Sequence, residues 1–365
     1  MRTQETFCRK TFHVEHFTPK NSYVYSLHSL LIGLRIGYVM STLPFHPPRL
    51  RDISSLQNFF KHGLSDWRGN DLNYANLFLL QGQYSTQIAY ESQVLYRHYD
   101  DNARFCGYGF PLSKDKKEVH DALNRIEYDA IERGRKVNYC LMSKEQCELL
   151  KQLRPKQYIF SKHREDTDYI YSCESLSQFK GASLRKKRNR LMRFLRYLEE
   201  NSSTWNIESI QRGHFFDILR IAQAWQDEQR EQGALLSKPT ILGQARHGEF
   251  ASLRKALRYW RELGLFGIIL RIDGQACGFS VASHSSSELV DVHYEKCHPD
   301  YRDAYPLLVN SLAQSIKAIY INREEDLGIE GLRRSKLSYH PAILLDKYAG
   351  FHVGQGRGLT PPVPE

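Results

Sequence analysis

Acidic and imidazole side chains cluster in two short segments near the C-terminal end of the chain. Residues 291–296 read DVHYEK, and alternation along a strand would place Asp291, His293 and Glu295 on one face. Residues 322–326 read NREED and add further carboxylates. Acyl transfer requires a bound nucleophile, a proton acceptor and donors for the developing oxyanion, and this cluster could supply the first two. We therefore predict these catalytic residues: Asp291, His293, Glu295, Glu324, Glu325 and Asp326.

Polar, cationic and aromatic side chains beside these carboxylates are predicted to bind substrate. Arg333, Arg334 and Lys336 follow the acidic tract and could hold a phosphate group through charge-assisted hydrogen bonds. The predicted substrate-binding residues are Tyr294, Lys296, Tyr305, Asn322, Arg323, Arg333, Lys336 and Tyr339. The alternative is an ion-paired loop that fixes the C-terminal strand. The many charges and few apolar residues of the stretch favour a functional site.

A strongly basic segment precedes this region. Residues 180–198, KGASLRKKRNRLMRFLRYL, contain eight basic residues and no acidic one, and their leucines recur at helical spacing. Like charges on one helix repel each other, so an anionic ligand would stabilise it. We predict phosphate or nucleic-acid contacts by Lys180, Arg185, Lys186, Lys187, Arg188, Asn189 and Arg193, with tRNA or an anionic phospholipid as partner. The alternative is a solvated helix between domains.

The length and composition of the chain indicate a folded, two-domain protein. It has 365 residues, 41% of them hydrophobic, and a net charge of +10 that favours anionic partners. Seven cysteines without a C-x-x-C pair indicate reduced thiols and a cytoplasmic location, with peripheral attachment to the inner membrane face as the alternative. Zinc-binding spacings and a P-loop are absent from the sequence, so we expect no metal.

The order of predicted elements repeats once along the chain. Helical periodicity, an antiparallel hairpin with a third strand, another helix and another strand occur in each half, which indicates an α+β fold. We predict a poorly structured or spurious N-terminal extension over residues 1–44, although residues 22–40 could form a weak anchor. The remaining predicted segments are an N-terminal domain (45–173), a basic linking helix (174–203), a C-terminal domain (204–353) and a tail (354–365).

Several of these segments resemble the catalytic, C-terminal domain of phosphatidylglycerol lysyltransferases. The likeness rests on KGASLRKKRNRLMRFLR in the basic helix, YEKCHPDYRDAYPLLVN from Tyr294, and INREEDLGIEGLRRSKLSYHP from Ile321. ANLFLL near Asn76 and YGFPL near Tyr108 extend it over about residues 45–350. The resemblance implies two tandem GNAT-like (acyl-CoA N-acyltransferase-like) domains with mixed, mainly antiparallel sheets flanked by helices. It relates the chain to peptidoglycan aminoacyltransferases.

The resemblance also implies a reaction. An aminoacyl group would pass from charged tRNA directly to a phospholipid or another small acceptor. Glu295, Glu324, Glu325 and Asp326 would then line the aminoacyl pocket, in a gap where two neighbouring strands of the GNAT fold splay apart. A multi-span membrane region, which lipid-modifying members carry, is not found, and this leaves another acceptor open.

Two alternatives to aminoacyl transfer remain at this stage. One is a GNAT-type acyltransferase that uses acyl-CoA on a small-molecule or protein amine. Cys297 to Tyr301 stand where acetyl-CoA enzymes carry a glycine-containing pyrophosphate loop, and this argues against that cofactor. The other is a non-catalytic anion-binding protein on the same fold.

Overall fold

The computed structural model describes residues 41–56, 69–91, 94–101, 104–113, 115–234 and 241–353. Most of the predicted N-terminal extension and the tail after residue 353 lie outside these residues. The strands are β1 Gln87–Glu91, β2 Val94–Asp101, β3 Arg104–Gly109, β4 Tyr139–Met142, β5 Tyr158–Lys162, β6 Asp168–Ser172, β7 Trp205–Ser209, β8 Phe266–Ile272, β9 Gln275–His284, β10 Leu289–Cys297, β11 Tyr320–Asn322, β12 Ile343–Leu345 and β13 Tyr348–His352. The α-helices are α1 Tyr74–Tyr84, α2 Lys116–Glu132, α3 Lys144–Leu153, α4 Cys173–Gln178, α5 Arg185–Glu200, α6 Phe215–Ala234, α7 Ile241–Arg258, α8 Tyr305–Ser315 and α9 Glu330–Leu337.

The first compact unit contains a six-stranded sheet in the order β1-β2-β3-β4-β13-β5. Its only parallel pair among the described strands is β3 with β4, and the other neighbours are antiparallel. Helices α2 and α3 contribute Leu123, Ile126 and Leu150 to its apolar core, where they meet Tyr139 and Met142 of β4. The 3.6-residue spacing of these apolar side chains explains why α2 buries one face.

The second unit contains a seven-stranded sheet in the order β12-β6-β11-β10-β9-β8-β7. Here β10 and β11 are parallel, and the other described neighbours are antiparallel. Almost every residue of β9 is buried, which requires cover on both faces of the sheet. Helices α4, α5 and α8 share one apolar cluster with the sheet, and α6 packs on β9 and β10. The predicted α+β class, with two mixed and mainly antiparallel sheets flanked by helices, is confirmed.

Each sheet includes a strand from the other half of the sequence. Strands β5 and β6 both fall within the predicted N-terminal domain (45–173), but β5 lies in the first sheet and β6 in the second. Likewise β12 lies in the second sheet, whereas β13 lies in the first, between β4 and β5. The strand β6 is buried along most of its length, so it needs a neighbour on each side, and β11 and β12 provide them.

The division into units therefore differs from the contiguous one predicted from the sequence. Residues 48–86, which we placed in the N-terminal domain, belong to the second unit together with 163–347. The physical reason lies in α1, which packs on α7: the Lys255 ammonium donates to the Phe78 carbonyl oxygen at 2.6 Å, and the Phe78 and Tyr259 rings are 5.5 Å apart. Within the described residues, no helix combines the length and the apolar composition needed to cross a bilayer.

The close approach of β8 and β9 leads to a prediction about Gly267. A Cβ atom at this position would lie 2.1 Å from the Ser280 carbonyl oxygen, far inside van der Waals contact. We expect Gly267→Ala to lower the free energy of unfolding by about 1–3 kcal/mol, because the strand pair must shift. Urea unfolding monitored by circular dichroism measures this.

The matched control for this substitution is Gly331→Ala. Gly331 lies in helix α9, and a Cβ there meets nothing within 4 Å. We expect this control to be neutral or slightly stabilising, because alanine favours the helix. Equal stability of both variants would contradict the close approach of the two strands.

Candidate active site

The candidate site lies where β10 and β11 separate. These parallel strands pair only from Leu289 with Tyr320 to Asp291 with Asn322. Strand β10 continues to Cys297, whereas the chain after Asn322 stays with β6, because the Arg323 amide donates to the Tyr169 carbonyl oxygen at 2.9 Å. The structure thus has the diverging strand pair that the resemblance implied, and the acidic tract begins at the point of divergence.

A β-bulge at His293 changes which side chains share a face. The register of β10 against β9 shifts between Val292 and Tyr294, so His293 is the extra residue. Strict alternation predicted one face for Asp291, His293 and Glu295, and this is wrong for Glu295. Asp291 and His293 join a polar network with Asn73, whereas Glu295 pairs with Arg323, whose guanidinium lies against aromatic residues of the apolar cluster around α5 and α8.

The side-chain amide of Asn73 organises a buried polar network. It donates to the hydroxyl oxygens of Ser283 and Ser285 at 2.9 and 2.8 Å, and to the Asp291 carboxylate at 2.8 Å. The Ser285 hydroxyl also donates to Asp291. Burial raises the pKa of Asp291 to about 7, although the hydrogen bonds from Ser285 and Asn73 act in the opposite direction.

His293 connects this network to the acidic tract. Its Nε2 atom is 2.8 Å from the Ser283 hydroxyl, and its Nδ1 atom is 3.4 Å from a carboxylate oxygen of Glu324. Burial lowers the pKa of His293 to about 4, so the imidazole is neutral near pH 7. Burial, followed by the charge of Glu325, raises the pKa of Glu324 well above its usual value, but 22% of this side chain remains exposed and solvent screens part of the effect.

Lys336 fixes the backbone of the acidic tract. Its ammonium group donates to three consecutive carbonyl oxygens: those of Arg323 at 2.5 Å, Glu324 at 3.1 Å and Glu325. Glu324 adopts a left-handed conformation with φ of 57°, which is costly for a residue with a side chain. The predicted substrate-binding Lys336 is therefore occupied within the protein, and it holds the turn that directs Glu324 towards His293.

Asp326 and Arg333 also have intramolecular partners. The Arg333 guanidinium donates to both oxygens of Asp326, at 2.7 and 3.0 Å, and the Tyr169 hydroxyl donates at 2.5 Å. Burial acts to raise the pKa of Asp326, but hydrogen bonds from Arg333 and Tyr169 outweigh it and the pKa is lowered. The Asp326 carboxylate already accepts these three hydrogen bonds. Its role is therefore structural, as in the ion-paired loop considered above.

Glu325 points into a second buried network, centred on Asp168. The Asn70 side-chain amide donates to Glu325 at 2.9 Å, and Asn322 donates to Asp168 at 2.9 Å. The Lys347 ammonium lies 2.8 Å from Asp168 and neutralises it. Neighbouring Glu324 and Glu325 thus reach different networks, and only Glu324 is next to the imidazole.

Glu295 and Arg323 form an ion pair across the gap between the diverging strands. The guanidinium centre of Arg323 lies 4.9 Å from the Tyr339 ring centroid, and the Tyr339 ring is buried. A second cation, the Lys187 ammonium, lies 3.7 Å from the same ring centroid. The acidic tract, through Arg323, and the basic helix α5, through Lys187, therefore meet at Tyr339.

The remaining predicted substrate-binding residues of β10 contact α7 instead. The Tyr294 hydroxyl is 2.5 Å from the Ser252 hydroxyl, and the Lys296 ammonium is 2.9 Å from the Glu249 carboxylate. Tyr305 is half-buried at the start of α8 and packs against the apolar cluster. These three side chains lie outside the Asn73 network.

Most of the residues predicted to bind phosphate or nucleic acid are on the surface. The exposed ones are Lys180, Arg185, Lys186, Asn189 and Arg193. Arg188 is half-buried and donates to the carbonyl oxygens of Phe179 and Gly181, whereas Lys187 is buried. Leu191, Phe194 and Leu198 form the buried stripe of the helix, as the leucine spacing predicted.

Asn70, Asn73 and Ser283 were not among the residues predicted from the sequence. Asn73 also caps α1, since its side-chain oxygen accepts from the Asn76 amide at 3.3 Å, and a cap is the ordinary interpretation of such an asparagine. A usable signal was present: Asn70, Asn73 and Asn76 recur every three residues within an apolar run, and all three are buried. Repeated amides in an apolar segment indicate a buried hydrogen-bond network.

The diverging parallel strands, the flanking helices and the carboxylate–imidazole cluster define an acyltransferase-like protein with two GNAT-like units. The sequence matches the family "Phosphatidylglycerol lysyltransferase, C-terminal" over residues 63–351. The chain belongs to this family, and family and fold together support an aminoacyl- or acyltransferase.

Proteins similar to this chain include two solved structures and one curated sequence. A conserved protein of unknown function from Bacteroides thetaiotaomicron VPI-5482 is 28% identical, with a TM-score of 0.75 over 85% of this chain and 100% of that chain. L-PGS from Bacillus licheniformis is 13% identical, with a TM-score of 0.57 over 86% of this chain and 94% of that chain, and supports the fold. An uncharacterized protein of Mycoplasmoides gallisepticum is 25% identical over 191 residues, 51% of this chain; the match spans only 56% of the length of that curated relative.

The position of Lys336 leads to a prediction about stability. We expect Lys336→Met to lower the free energy of unfolding by about 2 kcal/mol, because three partly buried carbonyl oxygens lose their donor. Arg334→Met is the control, since Arg334 lies on the same helix with 74% of its side chain exposed. Urea unfolding of both variants measures the difference, and an unchanged Lys336→Met protein would contradict the role of the ammonium group.

Proposed function

We propose that the protein transfers an aminoacyl group from a charged tRNA to a hydroxyl group of a phospholipid or another small acceptor. Membership of the phosphatidylglycerol lysyltransferase family supports this donor and acceptor chemistry. The observation that carries the proposal is the line of polar groups from Glu324 through His293 to Ser283 and Asn73, which begins at a partly exposed carboxyl and ends in the interior.

In the proposed mechanism, Glu324 accepts the proton of the attacking hydroxyl. It is the member of the line with a substantial exposed fraction, so it is the one an acceptor can reach. The neutral imidazole of His293 lies behind it, with Nδ1 3.4 Å from the carboxylate, and helps to position Glu324, while the Ser283 hydroxyl orients the ring. Attack on the aminoacyl ester is direct, the acceptor oxygen forms the new ester bond, and the ribose oxygen of the tRNA leaves with a proton.

The stretch where acetyl-CoA enzymes carry a pyrophosphate loop makes acyl-CoA a weaker candidate donor. Residues 299–304, which overlap this stretch, form a short 3-10 helix begun by His298, whose ring nitrogen accepts from the Asp300 amide at 3.4 Å. The Tyr301 amide donates to the His298 carbonyl oxygen at 2.9 Å. These two amides already have acceptors within the protein, so they do not offer a cradle for a pyrophosphate. The non-catalytic alternative predicts no turnover at all.

The proposed proton acceptor is tested with Glu324→Gln. The purified protein is incubated with radiolabelled aminoacyl-tRNA and vesicles that contain phosphatidylglycerol, and label in the lipid extract is counted. We expect the variant to lose about 10²–10⁴-fold in kcat, the usual contribution of general-base catalysis, with little change in KM. Glu330→Gln is the control, because Glu330 is a carboxylate of α9 with 80% of its side chain exposed.

The pH profile provides a second readout of the same residue. The folded pKa of Glu324 is raised, and a carboxyl group acts as a base only above its pKa. Activity of the wild-type protein should therefore rise with pH along a limb that lies above the ordinary glutamate pKa of about 4.3. The Glu324→Gln variant should lack this limb. Turnover within threefold of wild type in that variant would refute the assignment, and label transfer from acyl-CoA instead of aminoacyl-tRNA would favour the second function.

A further inference from the structure

Lys187 is a buried cation that faces an aromatic ring. It lies on the buried stripe of α5, only 7% exposed, and its ammonium group stands 3.7 Å from the Tyr339 ring centroid. Among the residues that the structure describes, no carboxylate forms an ion pair with it. Cation–π attraction contributes roughly 0.5–2 kcal/mol, which is small against the cost of burying an unpaired charge.

The surroundings of Lys187 add positive charge. Arg323 faces the same ring, with its guanidinium centre 4.9 Å from the centroid, and its NH1 atom is buried without a hydrogen-bond partner. Glu295 is the carboxylate of this cluster and is already bound by Arg323. The charge of Arg190, which is exposed one turn along α5, also reaches Lys187. Three cations and one carboxylate leave an excess of positive charge around Tyr339.

A protein retains such an arrangement at a stability cost, and an anionic ligand would remove that cost. We propose that Lys187, Arg190 and Arg323 form a phosphate-binding subsite above Tyr339, and that it takes a backbone phosphate of the single-stranded 3′ end of an RNA. The identification of this RNA as the donor tRNA rests on the proposed function. Phosphate oxygens can accept from the free Lys187 ammonium and from the unused NH1 of Arg323.

The distribution of charge on α5 favours a nucleic-acid strand over a bilayer surface. Lys186, Arg190 and Arg193 recur at intervals of four and three residues, so they form one exposed row along the helix beside Lys187. A flat bilayer can contact this exposed row, but it cannot reach a side chain that is 7% exposed. A flexible strand with one charge per nucleotide can follow the row and place one phosphate at the recessed cation.

The ionisation of Lys187 supports this assignment. Burial, with the charges of Arg190 and Arg323, lowers the pKa of Lys187 to about 8 in the protein without ligand. The unfolded chain keeps the ordinary lysine pKa of about 10.4, so the unfolded state binds more protons between pH 8 and pH 10.4. The charged form therefore destabilises the fold fully below pH 8, and stability rises as the pH increases through that window. A bound phosphate should restore a higher pKa.

The experiment compares Lys187→Met with Lys317→Met, because Lys317 is an exposed lysine outside the basic helix. Binding of a fluorescent single-stranded RNA tetranucleotide is measured by anisotropy at several salt concentrations, and thermal unfolding is measured without ligand. We expect Lys187→Met to weaken RNA binding at least tenfold and to reduce the salt dependence by about one phosphate contact. Without ligand, the same variant should unfold at a higher temperature than wild type, because it removes an uncompensated charge. Lys317→Met should leave the unfolding temperature unchanged and weaken binding by at most about threefold.

Two further arms keep the outcomes distinct. Lys187→Arg retains the charge and should retain RNA binding within about threefold, so loss of binding in both Lys187 variants would indicate a packing defect and overturn the subsite. Vesicles containing phosphatidylglycerol test the lipid source: if Lys187→Met loses vesicle binding but keeps RNA binding, the RNA assignment is wrong. Unchanged binding of both probes, or a lower unfolding temperature for Lys187→Met, would also overturn it. Neither assay requires aminoacyl transfer, so a failure of the proposed function appears separately as absent turnover in the wild-type protein.

Discussion

The contact between the Lys336 ammonium and three consecutive carbonyl oxygens determines the geometry of the candidate site. These carbonyls belong to Arg323, Glu324 and Glu325, on the segment that leaves β10 where the parallel ladder ends. A left-handed residue within this segment needs external support, and a buried lysine provides it. As a consequence, the two adjacent carboxylates contact different partners: Glu324 faces His293, whereas Glu325 faces Asn70.

Burial shifts the pKa values of Asp291 and His293 in opposite directions, and both shifts favour the neutral form. It raises the pKa of Asp291 and lowers the pKa of His293, so both groups are pushed towards their neutral forms. The Asn73 amide and the hydroxyls of Ser283 and Ser285 supply hydrogen bonds without adding charge. Because the imidazole is neutral, Glu324 can take up a proton without first separating an ion pair with His293.

The exchange of strands between the two sheets explains why the units are not contiguous in sequence. Strand β6 follows β5 along the chain but lies beside β11, and β13 follows β12 but lies beside β4. Each sheet also has its parallel pair in a corresponding position, β3 with β4 and β10 with β11. The repeat seen in the element order is therefore a repeat of sheet topology. Because strands are exchanged, the two copies do not correspond to two contiguous parts of the sequence. Hydrophobic periodicity cannot reveal this exchange, because a buried strand has the same pattern in either sheet.

The sequence by itself determined the element types, the α+β class and the family, because apolar spacing and long motifs such as INREEDLGIEGLRRSKLSYHP depend only on the order of residues. It also located the two segments that meet at the site, the acidic tract and the basic helix.

Only the tertiary structure decided the roles of the residues within these two segments. By residue type, Asp326 could be a catalytic acid and Lys336 could bind phosphate. In the fold, however, Asp326 pairs with Arg333, and Lys336 donates to the carbonyl oxygens of residues 323–325. Asn73 enters the site from more than two hundred residues away, and the bulge at His293 turns Glu295 to the other face. Both effects arise from packing and register, which are properties of distant residues brought together and are not encoded in any local pattern.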